Sequence, residues 1–344
     1  MKLEGLLKKY DYEAPEELIA QEPASPRDSA RLMVYDRAKS AVSFSQFTNL
    51  IDYLPTNAVL VFNRTKVLPA RLIVKKPTGG RVKIIYLESE NQLIKVMADR
   101  KLDIGSKLQL TDRIYFEVIR QDGKFYFLKP SFPTAKLFSV LDKYGITPIP
   151  PYIKHSPLKE KDLREKYQTV FAAERGSVAA PTASLHFTKR LMQKIKKSGI
   201  SARFITLHVN LGTFAPLTEE HLESGKLHSE YYEILKNDAN FLNKAKKSGR
   251  PIIAVGTTSV RALESAASAD GKISAKAGHT DIFIREGYTF KFVDGLITNF
   301  HVPKSSLLML VASFIGRQKL FRLYKLAIQK KFKLFSFGDG MLIL

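Results

Sequence analysis

The chain has no cysteine and no tryptophan. Without thiols it can form no disulfide, no thiolate zinc site, no iron–sulfur cluster and no cysteine nucleophile. That fits a reducing compartment, and a cytoplasmic location is the expectation. Its seven histidines show no His-x-x-x-His spacing, so no metal is expected. Long apolar runs are also missing. The most apolar stretch, residues 307–315, is far short of the ~20 residues that cross a bilayer. Residues 1–10 lack the apolar core of a signal peptide. No membrane partner is expected. Acidic side chains are few: 33 Asp and Glu stand against 55 Lys and Arg, a formal charge of +22 over 344 residues. Such an excess repels itself in the folded state, and a polyanion that releases counterions on binding would offset the repulsion. The charge therefore reads as a nucleic-acid surface; the plainer reading is a coat of solvated lysines.

What is present supports a sizeable core, since 44% of residues are hydrophobic. The length suits one large domain or two ordinary ones. Residues 71–130 alternate apolar and polar in short runs, as in 81–87 and 113–119. Turn signals at Gly79–Gly80, Gly105 and Gly123 separate them. Period-two runs with regular turns predict a small antiparallel β domain. Residues 148–152, with three prolines, read as a stiff linker that closes it. Elsewhere the texture predicts a helix over 187–198, a strand over 201–209, a strand over 252–255, a helix over 260–267 and a helix over 307–315. The expected fold is mixed α/β. A large α/β domain formed by both chain ends (1–68 and 150–344) carries an inserted β-barrel-like domain (69–149).

Five segments concentrate chemistry. Residues 175–188, from Arg175 through Ser177 and Thr182 to His186, are rich in small side chains that let a ligand approach the backbone. Thr188 or Ser184 could cap the helix that follows. Residues 206–214 place His208 in mid-strand ahead of Gly212 and Thr213. A lone strand histidine is more often a satisfied core residue than a catalyst. His228 and Glu230 are two apart, so in a strand they share a face, where a carboxylate can orient an imidazole. Chance pairs of this kind are common. Gly256, Thr257, Thr258 and Arg261 lie between a strand and a helix, where hydroxyls, free amides and the helix dipole suit an anion. This is neither the dinucleotide fingerprint nor the phosphate-loop motif. Thr298, Asn299, His301 and Lys304 emerge together from an apolar strand, a usual place for a binding site.

At these segments the chain resembles the S-adenosylmethionine:tRNA ribosyltransferase-isomerase family of queuosine biosynthesis. The resemblance begins near Tyr10, Asp11 and Tyr12, and runs through Gln21, Glu22 and Pro23, Arg27 and Asp28, and Pro69 to Leu72. It continues through Pro150 to Ile153, Tyr167 to Val170, and the segments 176–188, 206–214, 256–265 and 298–310. It ends on Ser336, Phe337, Gly338 and Asp339. The resemblance implies two domains, one an inserted barrel. It also implies the reaction: the ribosyl group of S-adenosylmethionine moves to 7-aminomethyl-7-deazaguanine at the tRNA wobble position. The group rearranges to an epoxycyclopentane, and adenine and methionine leave. S-adenosylmethionine is then a substrate, and no cofactor or metal is needed. The implied partner is the tRNA anticodon loop, its wobble base splayed out, and the chain is expected to act as a monomer.

Under that resemblance His208, His228, Glu230 and His301 are candidate proton acceptors. Thr257, Thr258 and Arg261 suit the methionine carboxylate. Thr298 and Asn299 suit ribose hydroxyls, and Arg175 and Lys304 suit tRNA phosphates. Ser177, Thr182, His186 and Thr213 complete the expected substrate site. The sequence departs from the family pattern at Arg64, Lys66, Ser184, Asn210, Ala215 and Glu286. Two other readings stay open: a tRNA methyltransferase using the same donor, and a non-catalytic RNA-binding protein.

Overall fold

The computed structural model describes residues 2–210 and 217–344. The first part of the chain gives α1 (Leu3–Lys9), β1 (Arg31–Asp36), β2 (Ala41–Gln46), β3 (Val59–Asn63) and β4 (Thr65–Val67). Next come β5 (Arg71–Lys75), β6 (Arg81–Glu90), β7 (Leu93–Ala98), β8 (Lys107–Thr111), β9 (Ile114–Asp122), β10 (Phe125–Pro130) and α2 (Leu137–Tyr144). The remainder gives α3 (Glu160–Lys166), β11 (Glu174–Ser177), α4 (Lys189–Lys197), β12 (Ser201–Leu207), α5 (Glu219–Ser224), β13 (Lys226–Ile234) and α6 (Lys236–Lys247). The last elements are β14 (Ile252–Val255), α7 (Thr257–Ala266), β15 (Lys276–Ile282), β16 (Gly295–Asn299), α8 (Ser306–Ile315), α9 (Arg317–Gln329) and β17 (Gly340–Ile343).

Strands β5 to β10 close into an antiparallel barrel in the order β10-β7-β6-β5-β8-β9. The alternation read from sequence is the reason. Along β6, Val82, Ile84 and Tyr86 are buried while Arg81 and Lys83 are exposed, as a period of two requires. Leu137 and Leu141 of α2 join the same core. A nine-stranded sheet runs β15-β13-β12-β3-β14-β16-β17-β1-β2. Its centre, β12, β3, β14 and β16, is parallel. Every residue of β3, β14 and β16 is buried, because helices and loops cover both faces, so these strands read as unbroken apolar runs. β17 pairs parallel to β1 and antiparallel to β16. The barrel strands thus interrupt, in sequence, a sheet that takes strands from both chain ends. This is the mixed α/β architecture with a small antiparallel barrel that the sequence predicts.

Local differences have local causes. α4 starts at Lys189, and Thr188, not Ser184, caps it: the Thr188 hydroxyl accepts from the Leu191 N–H at 3.0 Å. β12 ends at Leu207, so His208 follows the strand instead of sitting in its middle. α7 starts at Thr257, three residues earlier than periodicity suggests, because Gly256 takes φ +89° and turns the chain at once. No helix among the described residues is long and apolar enough to cross a membrane.

Candidate active site

The parallel centre of the sheet dictates where a site can form. Strands β14 and β16 end side by side and release their loops at the same edge, where open α/β sheets bind ligands. A cleft of about 660 Å³, its open mouth included, lies there. Thr182, Thr257, Thr258, Thr298, Asn299 and His301 all line it. Its wall also takes Tyr152 and Ser336, whose hydroxyls hydrogen-bond at 2.6 Å.

Gly256 and the first turn of α7 form one side. The free amides and dipole of that helix end favour negative charge. The Thr258 hydroxyl is buried there with no hydrogen-bond partner among the described residues. Asn299, the last residue of β16, forms the floor. Its side-chain Oδ1 accepts from the Thr182 hydroxyl at 2.8 Å, and its Nδ2 is 3.4 Å from His186 Nε2. His186 lies behind this floor, stacked on Phe47 with ring centroids 4.1 Å apart. Burial pushes the His186 imidazole down to about 3. His301 closes the other side. Its Nε2 is 2.7 Å from the Thr298 hydroxyl. Tyr324 accepts from its backbone N–H at 2.9 Å, and Tyr12 donates to its carbonyl at 2.6 Å. Burial brings its imidazole down to about 4, so it is neutral at pH 7.

Arg261 sits one turn deeper along α7, 3% exposed, and forms an ion pair with Glu230 of β13, which is 1% exposed. A second Glu230 oxygen accepts from the Asn210 N–H at 3.0 Å. Arg261 Nε and Nη2 have no partner among the described residues. The expectation that Glu230 orients His228 is corrected here. The register of β13 on β15 shifts between Lys226 and Glu230, so the two side chains serve different neighbours. His228 instead lies 3.4 Å from Lys124 Nζ and packs edge-on against His221 and Phe125.

Three other expected residues are committed elsewhere. Ser177 donates to the Ala179 carbonyl and accepts from the Val209 N–H, both at 2.8 Å, and is fully buried. Arg175 pairs with Asp142 of α2 at 2.7 Å. Lys304 pairs with Asp11 at 2.8 Å. His208 lies outside the cleft lining, with Nδ1 2.8 Å from the Thr65 hydroxyl and its ring stacked on Tyr231. Thr213 lies outside the described residues.

A second opening, about 1020 Å³ including its mouth, separates the barrel from the sheet edge. The barrel supplies Glu88, Glu90 and Phe125, and the sheet supplies Asn210, His228 and His279. Apart from His228, none of these was singled out from the sequence as a site residue. Their proximity depends on how barrel and sheet pack, which no local pattern encodes. Tyr152 and Ser336 did leave a signal, since both fall in segments that carried the resemblance.

These features define an α/β enzyme with a cleft at the carboxyl ends of its central strands, where a few polar side chains project from a largely apolar wall, and an inserted barrel alongside. The family described as "Queuosine biosynthesis protein" matches residues 7–343, and the chain belongs to that family. It is 47% identical to the S-adenosylmethionine:tRNA ribosyltransferase-isomerase of Thermoanaerobacter sp. strain X514, over 97% of this chain and 98% of the relative. It is 45% identical to the protein of the same name from Halothermothrix orenii, over 98% and 99%. A crystal structure of S-adenosylmethionine tRNA ribosyltransferase from Thermotoga maritima shares its fold at a TM-score of 0.57, with 32% identity over 98% of this chain and 100% of that one.

Proposed function

We propose that this protein is an S-adenosylmethionine:tRNA ribosyltransferase-isomerase acting in the cytoplasm. It moves the ribosyl group of S-adenosylmethionine onto 7-aminomethyl-7-deazaguanine at the tRNA wobble position. The observation that carries the reading is the pairing, in one cleft, of a neutral, half-buried His301 with the unpartnered Thr258 hydroxyl at a helix amino terminus. The helix end and Thr258 suit the donor's carboxylate. Thr182 and Asn299, already linked to each other, offer hydrogen bonds to ribose hydroxyls. The sulfonium acidifies the adjoining carbon–hydrogen bond, and His301 is the group proposed to take that proton. The glycosidic bond to adenine, the carbon–sulfur bond to methionine and one ring carbon–oxygen bond break; a bond forms from the acceptor's amino nitrogen, and one carbon–carbon and one carbon–oxygen bond close the epoxycyclopentane, while adenine leaves with the proton taken from carbon and the amine's proton passes to solvent. The donor is consumed as a substrate, and the scheme uses no resident cofactor.

Incubation of the purified protein with S-adenosylmethionine and tRNA bearing the deazaguanine precursor tests the reading. Free adenine released only when both are present is the expected result. S-adenosylhomocysteine in its place would mean methyl transfer, and tight RNA binding with neither product would mean a binding protein without this activity.

A further inference from the structure

S-adenosylmethionine has three parts, an amino acid, a sugar and a base, and only the first two have partners so far. Sheet order supplies a wall for the third. β14, β16 and β17 lie side by side. The first two end at the ligand edge, and β17, antiparallel to β16, begins there, with Gly340 opposite Asn299. Thr258 therefore stands on one flank of Asn299, and the chain entering β17 stands on the other. Strands are about 4.8 Å apart, so the flanks are roughly 10 Å apart. An amino acid, a sugar and a base joined in line can bridge that span.

The second flank is unlike the first. Tyr152, Phe335 and Ser336 all line the cleft there, and Val302 and Leu307 add apolar wall. The Tyr152 and Phe335 rings lie 4.9 Å apart between centroids, inclined at 58°. Phe335 takes φ +70°, a left-handed conformation that a bulky residue rarely adopts. Its N–H donates to the Phe300 carbonyl at 3.1 Å. Strain of this kind persists where a fold must present particular side chains. Here it sets a ring and the next residue's hydroxyl at the same cleft.

The Tyr152 and Ser336 hydroxyls are 2.6 Å apart. When one donates to the other, the pair keeps one O–H free to donate and lone pairs free to accept. Burial pushes the Tyr152 hydroxyl up to about 12, so it keeps its proton at neutral pH. Among the described residues no carboxylate, lysine or arginine lines the cleft. This wall therefore suits a flat, uncharged group with a donor beside an acceptor. Adenine presents that pattern, an amino group next to a ring nitrogen.

We propose that Tyr152, Phe335 and Ser336 form the base subsite of the cleft. The two rings frame the plane of adenine, one hydroxyl oxygen accepts from its amino group, and the other hydroxyl donates to the adjoining ring nitrogen. A hydrogen bond to that nitrogen also draws off negative charge as adenine leaves, so the same pair selects the donor and eases its fragmentation. The proposal rests on the donor named by the ribosyl-transfer reading and assigns the residues that choose it.

Equilibrium binding to the whole protein, without RNA, tests it. The ligands are S-adenosylmethionine and its purine analogue, which lacks only the amino group. Wild type should bind the natural donor about five- to a hundredfold more tightly, the usual worth of a buried polar group left unpaired. Each hydroxyl holds the other in place, so Tyr152→Phe and Ser336→Ala should each cut that ratio at least about threefold. A wall that merely packs the cleft would weaken both ligands alike and leave the ratio unmoved. Each substitution removes a single oxygen, and either decides the test if the other folds poorly. A wild-type ratio near one, or an unchanged ratio in a folded variant, overturns the subsite. Adenine release with tRNA would in that case leave the ribosyl-transfer reading intact. Discrimination between the two ligands without adenine release would uphold the subsite and remove the reading.

Discussion

His186 and His301 are kept neutral by burial, with no carboxylate bonded to either ring. An unfolded histidine titrates near 6.5, and these two titrate near 3 and 4 in the fold. Between about pH 4 and 6.5 the unfolded chain therefore binds more protons than the native one. Stability rises with pH across that window and is lost as pH falls through it. Melting temperatures measured at constant ionic strength should drop from pH 7 to pH 4.5, and His186→Gln should drop less steeply. The same depression keeps His301 competent as a proton acceptor well below neutrality. Turnover should stay flat from pH 7.5 to about 5.5, and His301→Ala should lose about 10²–10⁴-fold, the usual worth of a positioned acid–base group. His301 was legible in the sequence because Thr298, Asn299 and His301 leave an apolar strand together. Of the clamps that hold it, Tyr12 fell in a segment that carried the resemblance, whereas Tyr324, on a separate helix, left no signal.

Between elements, the buried Arg261–Glu230 pair ties α7 to β13, and α7 is the helix whose first turn faces the donor. Glu230 accepts from Asn210 as well, so one carboxylate fixes both a helix and the backbone just after β12. Removing it strands a buried guanidinium. Glu230→Ala should cost about 3–5 kcal/mol, read as a lowered unfolding midpoint in urea. Unchanged stability with lost turnover would return Glu230 to the role of proton acceptor read from the sequence. The expected partnership of Glu230 with His228 came from strand periodicity alone. It failed because the ladder register shifts between Lys226 and Glu230, a feature set by the paired strand β15 and invisible in β13. By contrast β14 was read to the residue, since four apolar residues between Pro251 and Gly256 leave one way to be a buried strand. The barrel strands were legible for the same kind of reason, an alternation that has one inward face. β17 was not: its pairing with β1 joins residues some 300 apart in sequence.

At the scale of the molecule, two kinds of recognition are combined. The cleft proposed for the donor is small and sets a few polar groups in a largely apolar wall, while the net charge of +22 acts over the whole surface. Phosphate contacts release counterions, and affinity then falls with salt at a slope set by the number of phosphates neutralised. S-adenosylmethionine has no phosphate and displaces no counterion atmosphere. Its affinity should change less than about twofold between 50 and 200 mM salt. With roughly six phosphate contacts, tRNA affinity over that range should fall about 10³-fold. Equilibrium binding across a salt series separates the two contributions. A slope for tRNA as shallow as that for the donor would mean that the basic surface is a solvated coat, and that the bases alone hold the RNA.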